Sequence, residues 1–101
     1  MLKLNESLSN LFQVKTVKTE TVTCEANKTT QIDAYCDIPD GYVWFDTYQV
    51  YPSNSHISIQ YVSSSGFGTN QLKIIVIVRN HHTSDINVTA TITVRFIKKI
   101  S

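Results

Sequence analysis

Between Ile86 and Ile97 the chain alternates without a break. Ile86, Val88, Ala90, Ile92, Val94 and Phe96 fall on one phase, and Asn87, Thr89, Thr91, Thr93 and Arg95 on the other. Successive side chains leave a strand on opposite sides, so this period marks a strand with one face on a core and one toward water. Composition extends the inference to the whole chain. Val, Ile and Thr number 33 of 101 residues, against 8 for Leu and Ala. β-Branched side chains fit a pleated surface and lose rotamer freedom in helices. A helical bundle is therefore disfavoured. So is a nucleotide-binding α/β fold, which needs a Gly-rich phosphate loop that three Gly do not supply.

The same alternation recurs upstream. Strands are predicted within Leu11–Lys18, over Thr19–Ala26, and from Ile32 to Ile38. In the third, Ile32, Ala34, Cys36 and Ile38 oppose Asp33, Tyr35 and Asp37. Asn27-Lys28 reads as a tight turn joining the second and third strands. Pro39-Asp40-Gly41 is the firmest turn signal, since Pro presets φ, Asp bonds locally and Gly tolerates positive φ. Further strands follow at Tyr42–Tyr51, His56–Ser63, Gln71–Asn80 and Ile86–Ile97, with a loop at Ser64–Asn70. The run LKIIVIVR inside Gln71–Asn80 is apolar on both phases and predicts a central strand buried twice. The expectation is an all-β domain, a single antiparallel β-sandwich, jelly-roll-like, with about six to seven strands over residues 11–101. Residues 1–10 lack a period and read as a lead-in or attachment segment.

Charge narrows the partners. The formal net charge is +1, and charged residues make up 17% of the chain. Residues 1–70 hold four bases and seven acids, net −3; residues 71–101 hold five bases and one acid, net +4. No Lys or Arg occurs between Lys28 and Lys73, so the aromatic-rich middle lacks the cations a nucleic-acid platform needs. No apolar run approaches a membrane span, and the N-terminus lacks the apolar stretch of a secretory signal. Neither nucleic-acid binding nor membrane insertion is expected, and the chain is expected to be made in a cytoplasm.

Several residue groups are of types that can carry chemistry. Cys24 and Cys36 both fall on the core phase and read as two small buried hydrophobes, because a tight Asn27-Lys28 turn would set Cys24 opposite Gln31. A disulfide would need a longer turn. His81-His82 in a loop and His56 at a strand start read as solvated side chains, with no metal expected. Asp37 and Asp40 match no calcium-loop spacing. No Ser-His-Asp, zinc or phosphate-loop spacing occurs, so no catalytic residue, no cofactor and no enzyme are expected.

The aromatics are the informative group. Six of the ten lie between Tyr35 and Tyr51. Strict alternation places Tyr42, Trp44 and Tyr48 on one face and Phe45 and Tyr51 on the other. One set fills the core; the other covers a subunit interface or stacks on a ligand. The candidate ligand or interface residues are Tyr42, Trp44, Tyr48 and Tyr51, with Asn54 and Asn70 from adjacent loops bonding sugar hydroxyls.

The series Pro39-Asp40-Gly41-Tyr42, then Leu72–Asn80, then Ala90–Lys98 resembles small β-domains in tail, fibre and minor structural proteins of phages of Gram-positive and gut bacteria. The resemblance covers about residues 20–99. It implies a non-enzymatic virion appendage module, commonly trimeric, located in the virion. Its implied partners are further copies, other virion proteins and a host cell-surface glycan. The other function the residues allow is a stand-alone carbohydrate-binding, lectin-like module.

Overall fold

A computed structural model describes residues 11–66 and 70–100. Eight strands run β1 Phe12–Lys18, β2 Val22–Cys24, β3 Thr29–Asp37, β4 Tyr42–Pro52, β5 Ile57–Ser65, β6 Gln71–Asn80, β7 Ile86–Val88 and β8 Ala90–Lys98. They form three antiparallel sheets of order β1-β8-β4, β2-β7 and β3-β6-β5. The chain is thus all-β and sandwich-like, as expected, with eight strands in place of about six to seven. The pairs β1–β8, β2–β7 and β3–β6 are nested, as in a chain doubled back on itself and then rolled. Among the described residues no helix is long and apolar enough to cross a membrane. The expected lead-in, residues 1–10, lies outside the described residues.

The core follows the alternation. Ile32, Ala34 and Cys36 of β3 and Leu72, Ile74, Val76 and Val78 of β6 face Ala90, Ile92, Val94 and Phe96 of β8, all buried. Tyr42, Trp44, Val50, Ile59 and Val62 pack around them. On the edge strand β1, Lys15 sits opposite Val94 on the inward phase, and its Nζ donates to the Asp37 carbonyl at 3.2 Å. An inward lysine on an edge discourages a further strand from pairing there.

Four expectations need correction. The 86–97 segment is two strands, because its partner changes at Thr89: β7 pairs with β2 and β8 with β1. At the change, the Thr19 hydroxyl accepts the buried Ala90 N–H at 2.9 Å in place of a backbone carbonyl. For the same reason β2 and β3 form no hairpin ladder. The Asn27 turn exists, with Asn27 at φ 59° and the Lys28 N–H bonded to the Glu25 carbonyl, but it carries the chain from the β2–β7 pair into the β3 sheet. β6 is central yet buried on one face only. Lys73, Ile75, Ile77 and Arg79 are half-buried, because among the described residues no further sheet stacks on that side. The loop placed at Ser64 starts later, since Ser64 and Ser65 still pair with Ile74 and Lys73.

Asn80 ends β6 fully buried, and its polar atoms are all used. Its Nδ2 donates to the Cys24 carbonyl at 3.0 Å and the Ser84 carbonyl at 2.8 Å; its Oδ1 accepts the His82 N–H at 2.8 Å. One side chain thereby ties β6, β2 and the β6–β7 loop. Asn80→Leu keeps the approximate volume and strands three polar groups, so urea unfolding should show a loss of about 3 kcal/mol. A loss under about 1 kcal/mol would show that water re-satisfies the site.

Candidate functional site

β4 and β5 are the outer strands of opposite sheets, and a groove of about 480 Å³ runs between them. Trp44, Asp46, Thr47 and Val50 line it from β4, and Val62, Ser63 and Ser64 from β5. The volume lies within the range of small-ligand sites.

The groove exists because β4 breaks its own alternation. Continued from Tyr42 and Trp44, a strict period would turn the Asp46 carboxylate into the core. Instead the register against β8 slips twice, between Trp44 and Asp46 and between Thr47 and Gln49. The extra residues are Phe45 and Tyr48. The first bulge sends Asp46 opposite Arg95 on the outer face and brings Thr47 opposite buried Val94; the second restores the phase, so Val50 sits opposite Ile92. Bulges bend an edge strand and re-aim its side chains.

Thr47 anchors a run of polar contacts. The Trp44 indole N–H only donates, and it meets the Thr47 hydroxyl oxygen at 3.3 Å. That oxygen lies 3.4 Å from the Ser64 hydroxyl, across from one sheet to the other. A ring edge, two hydroxyls and the apolar Val50 and Val62 therefore share one groove.

Asp46 is clasped at its rim. Arg95 Nε donates to Asp46 Oδ1 at 2.7 Å, and a second guanidinium nitrogen donates to Oδ2. The guanidinium also lies 4.5 Å from the Tyr48 ring centre and 5.5 Å from that of Phe45. These bonds hold the Asp46 carboxyl below the usual carboxylate range, while the clasp raises Arg95 further. Fork-to-fork pairing of this kind is both directional and charge-neutral overall.

The sequence-predicted residues separate. Trp44 lines the groove. Tyr42 is half-buried on the same inward phase, packed on the core. Tyr48 does not share their face, contrary to strict alternation; as a bulge residue it is 54% exposed on the outer side, where Tyr51 is too. Asn54 lies in the β4–β5 connection, its Oδ1 accepting the His56 N–H. Asn70 precedes β6 at the other end of the sandwich, and its carbonyl accepts the Ile38 N–H. About nine residues of β5 separate the two ends, roughly 30 Å, so Asn54 and Asn70 cannot serve one sugar ring. Sequence reasoning missed Thr47, Ser63 and Ser64. No local signal joins Thr47 to Ser64, because only the opposition of two sheets makes them neighbours.

The other candidates stay apart from the groove. Cys24 and Cys36 are free and buried, and burial pushes the Cys36 thiol up. The His56 and His82 rings are 4.4 Å apart, and His81 Nε2 lies 2.8 Å from the Ser58 hydroxyl. Among the described residues no group of three or more His, Cys, Asp or Glu is placed to hold a metal ion.

Comparison with family models, with curated proteins and with solved structures finds no match to this chain.

The Asp46–Arg95 clasp sets a pH dependence. A depressed carboxyl contributes stability above its unfolded value, near 3.9, and loses it as pH falls through the lower folded value. About a third of each side chain is exposed, so solvent screening reduces the effect. Thermal melts from about pH 5 to about pH 2 should show wild type losing more stability than Asp46→Asn over that window. Parallel profiles for the two would show that the clasp contributes nothing.

Proposed function

We propose that this chain is a non-enzymatic attachment and assembly module of a virion appendage, and that the β4–β5 groove holds a neutral saccharide of the host surface. The observation that carries the attachment role is the Trp44-bearing groove with the Thr47 and Ser64 hydroxyls beside it. A pyranose offers an apolar C–H face and a rim of hydroxyls, which match an aromatic ring and small polar side chains. Among the described residues the one charged side chain lining the groove is Asp46, and Arg95 already neutralises it. An uncharged ring therefore fits better than a phosphate or a uronate. The virion setting rests on the resemblance over residues 20–99. The same groove serves a stand-alone lectin-like module, which is the second reading.

Trp44 is the lone tryptophan, so its emission reports on the groove directly. Titration with neutral cell-wall oligosaccharides should shift that emission, with dissociation constants of about 0.1–1 mM. Ser64→Ala should weaken binding about 5- to 10-fold, the loss of one hydrogen bond. Unchanged emission and no binding heat with such glycans sink the saccharide reading. Labelled protein that coats bacterial cells and blocks phage adsorption supports the appendage setting; coating without a block favours the lectin.

A further inference from the structure

The outer face of the β1-β8-β4 sheet takes no part in the core. β1 contributes Phe12 and Val14 there, and β4 contributes Val43, Phe45, Tyr48 and Tyr51, all exposed. Val14 is 60% exposed, and Tyr48 and Tyr51 are 54% each. Phe12 and Phe45 meet edge to face with ring centres 5.2 Å apart, spanning the strand between them. Thr91, Thr93, Arg95 and Ile97 of β8 form the centre line, half-buried beneath these neighbours. Six large apolar side chains on one sheet face exceed the scattered singles of an ordinary surface.

We infer that this face packs against the same face of a second copy of the chain. Charge permits it: the cation at the centre, Arg95, is neutralised within its own copy by Asp46 and lies against Tyr48. At the centre of the face two copies meet without like-charge repulsion, while the exposed Lys18, on the same phase of β1 opposite Thr91, lies at a corner of the face and stays in solvent. Tyr, Phe and Arg are also the residue types that interface centres favour. The area suffices. A nine-residue β8 and three strands give a footprint of about 30 by 14 Å, and side-chain relief raises the accessible area to the order of 700 Å² per copy. Over two copies that reaches the lower end of stable interfaces, about 1,200–2,000 Å². Sheets stack face to face about 10 Å apart, so the aromatic rings have room to interdigitate. A contact of one face with itself closes at two copies, in place of the three that the resemblance implies. The face meets the groove only at Asp46, and its apolar side chains lie on the outer side of the sheet, so the inference stands whether or not a saccharide binds.

The other sheet supplies the control. Tyr61 is 61% exposed on the outer face of β5, where the Lys73–Asp33 ion pair lies nearby on the same sheet face. Sedimentation velocity of the full chain from about 1 to about 200 μM should show twice the chain mass at the upper end. Tyr48→Lys and Val14→Lys should each weaken association at least about tenfold, while Tyr61→Lys leaves it unchanged. If Tyr48→Lys loses its circular dichroism, the edge-strand variant Val14→Lys decides. A wild-type monomer at about 200 μM, a trimer, or equal weakening by Tyr61→Lys overturns the inference. So does a monomer that floats with lipid vesicles, which would give the face to a membrane.

Discussion

A carboxylate that cannot go indoors shapes this domain. Asp46 occupies the phase of β4 that points at the core, and an ionised carboxylate there would cost several kcal/mol without a partner. The strand takes in an extra residue instead, and Asp46 emerges opposite Arg95. Everything distinctive on β4 follows. Thr47 enters the inward row and meets Trp44 and Ser64; a second extra residue, Tyr48, returns the strand to phase for Val50. The two displaced side chains, Phe45 and Tyr48, become the aromatic cover of Arg95.

The groove and the outer aromatic face are therefore two products of one irregularity. Both border the Asp46–Arg95 pair, one at its rim and one at its centre. The unevenly divided charge of the sequence has a structural counterpart here. Asp46–Arg95 and Asp33–Lys73 each join an acid from the first seventy residues to a base from the remainder, across neighbouring strands. Because each pair is at least partly solvated, its larger effect is on register and partner choice rather than on net stability.

What was legible in the sequence is what obeys a single period. β3 and β8 keep one phase from end to end, and their buried rows are the predicted ones, Ile32 to Cys36 and Ala90 to Phe96; in β6, apolar on both phases, the period did not tell which row, Leu72 to Val78, would be the buried one. Both cysteines fell on the core phase and are buried there. β4 defied the period, and with it went the grouping of Tyr48 with Trp44. The clue was present in the chain, in an acid standing in phase with Tyr42 and Trp44 and a neighbouring Phe45 out of phase. Partner choice was not legible. That β2 joins β7, or that Thr47 meets Ser64, depends on how the sheets stack, which alternation along one strand does not encode. Asn54 and Asn70 share loop character in the sequence and lie at opposite ends for the same reason.

The nested pairing has a consequence for how this chain is made. β8 is the middle strand of its sheet, so neither β1 nor β4 has a partner until β8 has been synthesised. Phe12 waits for Ile97 and Val22 for Val88. Only β3, β6 and β5 can assemble early, and their apolar row would face water meanwhile. Closing such distant pairs imposes the loop entropy before any contact offsets it, which makes folding slow and defers it until β8 has emerged. During that interval the ribosome carries a half-built sandwich with open edges, and the inward Lys15 guards an edge only once β8 has joined β1.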